Sequence, residues 1–147
     1  MDTVFTAQDY LIKYRIKPSV QRIAILDYLM KYRTHPSADE IYGALFRSIP
    51  TLSKTTVYNT LKLFAEQGVL CILGIDERNV RYDIDTSGHA HFICIGCGKI
   101  YDIRVADLDK LISKGKEEFS VTEMRLYYKG YCKYCQKAKE LKNVITE

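Results

Sequence analysis

Two Cys-x-x-Cys pairs, Cys94-Ile-Gly-Cys97 and Cys132-Lys-Tyr-Cys135, constrain this chain more than any other feature. Each pair places two thiolates where one tight turn aims both sulfurs at a single ion, and Gly96 and Gly98 relax the first turn. Two such turns complete a tetrahedron, the geometry of a four-thiolate zinc site that is closed to water and holds structure without catalysis. The 34 residues between Cys97 and Cys132 make the ion a clip across a long loop, as a disulfide is elsewhere. Four unconnected core cysteines or a thioredoxin-like redox pair are the alternatives, and two pairs at this spacing favour Zn2+ over both. Cys71 stands alone in a strand-like run and reads as a small buried hydrophobe.

The chain has 147 residues, 47% of them hydrophobic, enough for one domain or two small ones with a real core. No stretch nears the roughly 20 apolar residues of a membrane span, and MDTVFTAQDY lacks the basic and apolar regions of a signal peptide. The expected compartment is cytoplasmic, with no membrane partner; there disulfides are rare and paired cysteines read as metal ligands. The net charge of +4 permits nucleic-acid binding without demanding it. Lys13, Arg15, Lys17, Arg22, Lys31 and Arg33 crowd the first two helical segments, whereas Asp102, Asp107, Asp109, Glu117 and Glu118 come later. A basic face therefore belongs to the N-terminal half.

Four helical segments fill that half. Thr6 precedes a short one reaching about Tyr14, and Ser19 precedes VQRIAILDYLMKY, in which Ile23, Leu26, Leu29 and Met30 are spaced for one buried face. Ser37 and Glu40 form a capping box ahead of IYGALF. Ser53 caps KTTVYNTLKLFAEQ, which Gly68 ends. In this fourth helix Val57, Leu61 and Phe64 face inward, so Lys54, Thr55, Tyr58, Asn59 and Lys62 lie on the opposite face. The runs VLCILGI and VRYDI, separated by Asp76, Glu77, Arg78 and Asn79, read as a hairpin. Helices followed by a two-stranded ribbon are the order of a winged helix-turn-helix. Beyond Thr86, Ser87 and Gly88 the reading is two short strands over 91–103, a helix from about Ala106 to Glu118, a longer strand FSVTEMRLYYKG and a final helix QKAKELKNV.

Three histidines are present, His35, His89 and His91. In an extended segment His89 and His91 point to the same side, Asp83 on the wing strand can lie beside them, and a hairpin could return Asp102 toward His91. With His35 these make a mixed nitrogen and oxygen site, suited to Fe2+ or Mn2+ as well as zinc. A surface His-x-His pair and an unrelated loop histidine is the plain alternative.

QRIAIL, HPSADEIY, TTVYNTL, RYDI, HAHFIC, GCGKIYDI and CKYC together resemble the ferric uptake regulator family of bacterial metal-dependent repressors along nearly the whole chain. Within it the chain looks most like the peroxide-sensing subgroup. That subgroup's regulatory ligands fall on His35, Asp83, His89, His91 and Asp102, where iron-uptake regulators usually have glutamate at the last position. KPSVQR departs from the family's threonine-proline turn, and Gly88 stands where peroxide sensors often have aspartate. The resemblance implies an α+β fold: an N-terminal winged helix-turn-helix DNA-binding domain over 1–85, then a small α/β dimerisation and metal-binding domain over 86–147 carrying the four-cysteine zinc site. It implies a homodimer on double-stranded operator DNA, with Tyr58 and Asn59 near base edges and Lys54, Thr55, Lys17 and Arg22 near phosphates. It further implies that hydrogen peroxide, as signal rather than substrate, oxidises His35 or His89 through bound iron and releases the DNA.

A repressor responding to iron or zinc without sensing peroxide is the alternative within this class. A metal-dependent enzyme finds no support in a barrel-like or pocket-like pattern. A zinc-stapled protein-interaction module remains the third class.

Overall fold

A computed structural model describes residues 4–76, 78–106, 110 and 118–146. The chain divides into two compact units, the first ending at Thr86 and the second beginning at Ser87.

The first unit comprises helices α1 (Ala7–Lys13), α2 (Val20–Lys31), α3 (Ala38–Leu45) and α4 (Lys54–Glu66), then strands β1 (Cys71–Leu73) and β2 (Arg81–Asp83). Each helix starts where a side-chain oxygen satisfies an orphan backbone N–H. Thr6 and Asp9, and Ser37 and Glu40, form reciprocal capping boxes, while the Ser19 and Ser53 hydroxyls accept from the N–H groups of Arg22 and Thr56. α4 ends in a Schellman turn: Val69 N–H donates to Phe64 O at 2.8 Å and Gly68 N–H to Ala65 O at 3.1 Å, with Gly68 at φ 82°.

Inside this unit Leu11, Ile25, Leu26, Ile41, Val57, Leu61 and Phe64 are wholly buried. Burying each such side chain stabilises the fold by about 1.5–3 kcal/mol. The buried stripe of α2 is rotated from the one read in the sequence: Ile25, Leu26 and Leu29 are buried, whereas Ile23 and Met30 only flank the core. A helix wedged among three others buries a broader arc than a four-residue spacing indicates. β1 and β2 pair antiparallel, Cys71 opposite Asp83 and Leu73 opposite Arg81, which makes the wing. Cys71 is half-buried. Glu77, assigned to the turn between them, lies outside the described residues.

The second unit holds β3 (Ala90–Cys94), β4 (Ile100–Ile103), β5 (Tyr127–Gly130) and helix α5 (Lys133–Thr146). The sheet order is β4-β3-β5, antiparallel between β3 and β4 and parallel between β3 and β5. The helix expected from Ala106 to Glu118, with Leu108, Leu111 and Ile112, falls almost entirely outside the described residues. The long strand over FSVTEMRLYYKG is only four residues, because β3 pairs with Tyr127 to Gly130; the first bond of this ladder is His91 N–H to Leu126 O at 3.0 Å. The final helix begins at Lys133 rather than Gln136, and the N–H of Gln136 closes onto Cys132 O at 2.9 Å. Cys132 and Cys135 are thus one helical turn apart, which puts both sulfurs on one side.

Among the described residues of this unit the buried apolar side chains are Ala90, Cys94, Ile100 and Cys132. Two of these four side chains are thiols.

Candidate metal centres and the face of the fourth helix

β3 leads into a turn in which Gly98 N–H donates to Cys94 O at 2.8 Å, while β5 runs parallel beside it, so the two Cys-x-x-Cys segments meet. The ligand sulfurs of Cys94, Cys97, Cys132 and Cys135 all lie within 4.8 Å of one another. Cys97 and Cys132 are 3.9 Å apart, close to the roughly 3.8 Å sulfur separation of a tetrahedron with 2.3 Å zinc–sulfur bonds and far from a disulfide. The N–H of Cys132 at 3.3 Å and that of Cys97 at 3.5 Å point at Cys94 Sγ. The first of these does most to draw the Cys94 thiol down to about 6, against the opposing effect of burial. Cys132 is also lowered, chiefly by the N–H of Cys135. Cys135 is pushed up to about 12, first by its sulfur contact with Cys94 and then by that with Cys132. Four sulfurs this close cannot all be thiolates unless a cation lies among them, and these residues fit Zn2+.

The two glycines of the first turn act differently. Gly98 adopts φ 74°, the left-handed conformation expected of it, but Gly96 supplies space: a Cβ there would sit 2.8 Å from Cys135 Sγ.

A second set of donors sits on the same sheet of this unit. His91 is directly opposite Asp102 in the β3–β4 register, and His89, two residues before, shares its face. The Nε2 atoms of His89 and His91 are 2.9 Å apart, and Asp102 Oδ1 is 3.3 Å from the first and 3.4 Å from the second. These are the roughly 3 Å edges of an octahedron with metal–ligand bonds near 2.1 Å. His89 Nδ1–H donates to Ser87 O at 2.7 Å, which places the ring's lone pair on Nε2, the atom that would bind a metal. The donor set, two imidazole nitrogens and a carboxylate, fits Fe2+ or Mn2+.

In the first unit, His35 Nε2 is 3.5 Å from Asp83 Oδ2, and both side chains are buried. His35 precedes Pro36 and has φ 54°, a conformation that costs a residue with a side chain about 1–3 kcal/mol. The N–H of Tyr82 donates to Pro36 O at 3.0 Å, which sets the β2 strand, and with it Asp83, beside this loop. Arg81 Nη1 donates to His35 O at 3.3 Å. Pattern reading passed over Arg81, because its partners His35 and Glu40 lie more than forty residues away.

Of the residues assigned to DNA, Lys54, Thr55, Tyr58 and Asn59 are exposed on α4 or at its edge, and Lys54 makes a loose 3.8 Å pair with Asp39. Lys17, Arg22 and Asn59 line one cleft of about 480 Å³ together with Ser19, Gln21 and Thr56. Arg22 Nη1 donates to the backbone Lys17 O at 2.8 Å, which holds the Arg22 guanidinium at the mouth where α2 begins. Gln21 and Thr56 were not read from the sequence; only the crossing of α2 and α4 brings them there. Among the described residues no helix is long and apolar enough to cross a membrane.

A model of the Ferric uptake regulator family matches residues 13–129. The peroxide-responsive repressor PerR of Staphylococcus aureus is 41% identical over 124 residues, covering 83% of this chain and 82% of that protein, and the one from Staphylococcus saprophyticus is similar to the same extent. Among solved structures, the Helicobacter pylori ferric uptake regulator superposes with a TM-score of 0.75 at 24% identity, over 92% of this chain and 97% of its own. The Francisella tularensis ferric uptake regulator with iron has a TM-score of 0.70 at 25% identity, over 82% and 95%.

Proposed function

The chain belongs to the ferric uptake regulator family, and from that premise we propose that it is a metal-dependent transcriptional repressor that binds operator DNA as a homodimer and senses hydrogen peroxide. The observation that carries this reading is the convergence of His89 Nε2, His91 Nε2 and Asp102 Oδ1 within 3.4 Å of one another. The 41% identity to a peroxide-responsive repressor supports the signal.

Residues 1–85 act as the DNA-binding domain and residues 86–147 as the dimerisation and metal-binding domain. Tyr58 and Asn59 approach base edges, while Lys54, Thr55, Lys17 and Arg22 neutralise phosphates; the cleft shared by Lys17, Arg22 and Asn59 supports this division. Zn2+ held by Cys94, Cys97, Cys132 and Cys135 is structural. The regulatory ligands are His35 and Asp83 from the first half and His89, His91 and Asp102 from the second. A metal bound by ligands from both halves favours one arrangement of them, and operator DNA favours the same one, so the two affinities are reciprocally linked.

Fe2+ held by these residues would supply the redox chemistry toward hydrogen peroxide, one of whose oxygens replaces the hydrogen on a histidine ring carbon while the other leaves as water. The side chains do the rest. Ser87 O fixes the His89 ring so that Nε2 would be the ligand atom, and uptake of oxygen by His35 or His89 would remove a ligand and release the operator. Such a protein is a regulator rather than an enzyme, because each oxidation consumes its own side chain.

The test combines metal analysis with operator binding in the Fe2+ and Mn2+ forms, before and after peroxide, followed by peptide mass measurement. Loss of binding in the Fe2+ form alone, with one oxygen gained on a peptide containing His35 or His89, is expected. Equal binding by both forms after peroxide, with no oxygen gained, leaves a repressor responding to iron or zinc alone. Failure to protect promoter DNA in every metal state removes the repressor reading.

A further inference from the structure

The His35 side chain stands beside Asp83, 3.5 Å away, on a backbone held at φ 54°. The residue before a proline ordinarily adopts an extended backbone, so the angle at His35 departs from what Pro36 favours. The restraint comes from the wing. Arg81 Nη1 donates to His35 O at 3.3 Å and reaches Glu40 Oε1 at 3.4 Å, while its Nε and Nη2 grip Asp76 Oδ2 at 3.3 and 3.2 Å. One planar fork thus spans the turn of the wing, the first turn of α3 and the carbonyl of His35.

Each anchor is itself fixed. The Asp76 carboxylate also accepts the N–H of Arg78 at 2.9 Å, which with Arg81 holds its pKa below the ordinary value, and its side chain is 14% exposed. Glu40 belongs to the α3 capping box, where its other oxygen accepts the N–H of Ser37, two residues after His35. The Tyr82 N–H to Pro36 O bond runs alongside, so the loop is tied to β2 at two successive carbonyls.

We propose that Arg81 is the positioning residue of the regulatory metal site: its guanidinium, anchored on Asp76 and Glu40, holds the carbonyl of His35 so that Nε2 stays beside Asp83 and can bind the metal. This rests on the reading of His35 and Asp83 as ligands. Arg81 touches no metal. It acts on the geometry of a ligand, as residues outside the coordination sphere do when their loss lowers metal affinity about 10- to 100-fold. The same fork ties the ligand loop to the wing turn, so a shift of that turn reaches His35 through one side chain.

The experiment uses the full-length chain with Zn2+ in the four-cysteine site and titrates Mn2+ alone, reading affinity, and Co2+ alone, reading the visible absorption bands that report ligand geometry. Arg81→Ala is expected to keep its zinc and helical content, to bind Mn2+ about tenfold or more weakly and to show altered Co2+ bands. Asp76→Asn and Glu40→Gln keep Arg81 and loosen one anchor each, and they shift both readouts the same way by less. Should Arg81→Ala fail to fold, these two variants decide. Unchanged Mn2+ affinity and Co2+ bands in a folded Arg81→Ala, or in both anchor variants, overturn the proposal. Asp83→Ala tests the underlying reading separately: wild-type Mn2+ affinity in that variant sinks the regulatory site and the role of Arg81 with it, whereas loss of Mn2+ there beside an indifferent Arg81→Ala sinks Arg81 alone.

Discussion

Replacing Gly96 with alanine isolates the packing of the four-cysteine centre from its chemistry, because it leaves all four sulfurs in place. The added methyl would lie 2.8 Å from Cys135 Sγ and 3.0 Å from Cys135 Cβ. Ordinary contacts of carbon atoms need about 3.5–4.0 Å, so the Cys135 side chain has to retreat by roughly 0.7–1.2 Å. Metal sites accept ligand displacements of about 0.2 Å, several-fold less. Retreat is difficult, since Cys135 sits in the first turn of α5 and its Cβ moves only with the helix. Overpacking of this kind costs about 1–3 kcal/mol, which corresponds to a fall of about 5- to 150-fold in zinc affinity. Competition of the purified protein against a chromophoric zinc chelator measures it. Gly98→Ala serves as the comparison: φ is 74° there but nothing lies within 4 Å, so it strains the turn without crowding a sulfur. Wild-type zinc affinity in Gly96→Ala would refute the placement of Cys135 against this turn.

Four further outcomes follow from the same structure. Phe64→Ala, at the centre of the first core with no exposed surface, is expected to destabilise the fold by about 3–5 kcal/mol in denaturant unfolding at constant metal. Gly43→Ala, in α3 with nothing near the new methyl, should raise thermal stability by about 0.5–1 kcal/mol; a lowered melting temperature would contradict the open surroundings found there. The Asp76 carboxyl has its pKa lowered, first by the N–H of Arg78, so its contribution is full above the ordinary value of 3.8 and is lost as pH falls through the lowered folded value. Wild type and Asp76→Asn should therefore differ in stability at neutral pH and converge in acid, and a gap that persists in acid removes the ionic origin. Lys17→Ala should weaken operator binding evenly across sequences and reduce the salt slope by about 1, whereas an unchanged slope excludes a phosphate contact.

Local chemistry written within a few residues was legible in the chain. The caps at Thr6, Ser19, Ser37 and Ser53 are each a hydroxyl satisfying an N–H three residues on, so sequence spacing suffices to find them. The inward face of α4 follows from helical period alone. The turn chemistry of Gly68 could be read, whereas that of Gly96 was misassigned, because freedom of φ is a property of the residue and the nearness of Cys135 is a property of the fold. The stripe of α2 and the length of β5 were off for a related reason: burial and pairing depend on what lies opposite, Tyr127 to Gly130 against β3 in the second case.

The ligand types and their pairing along the chain are written in the residues themselves: two thiol pairs at one-turn spacing, and a His-x-His whose rings share one side of an extended segment. Those follow from covalent spacing and from the two periods of regular structure. Folding in three dimensions was needed to place His91 opposite Asp102, to fix the ring of His89 on Ser87, and to let a guanidinium from the wing hold His35 in a left-handed backbone. Such arrangements depend on strand register and on hydrogen bonds between residues far apart in sequence, and no local pattern encodes a partner forty-six positions away.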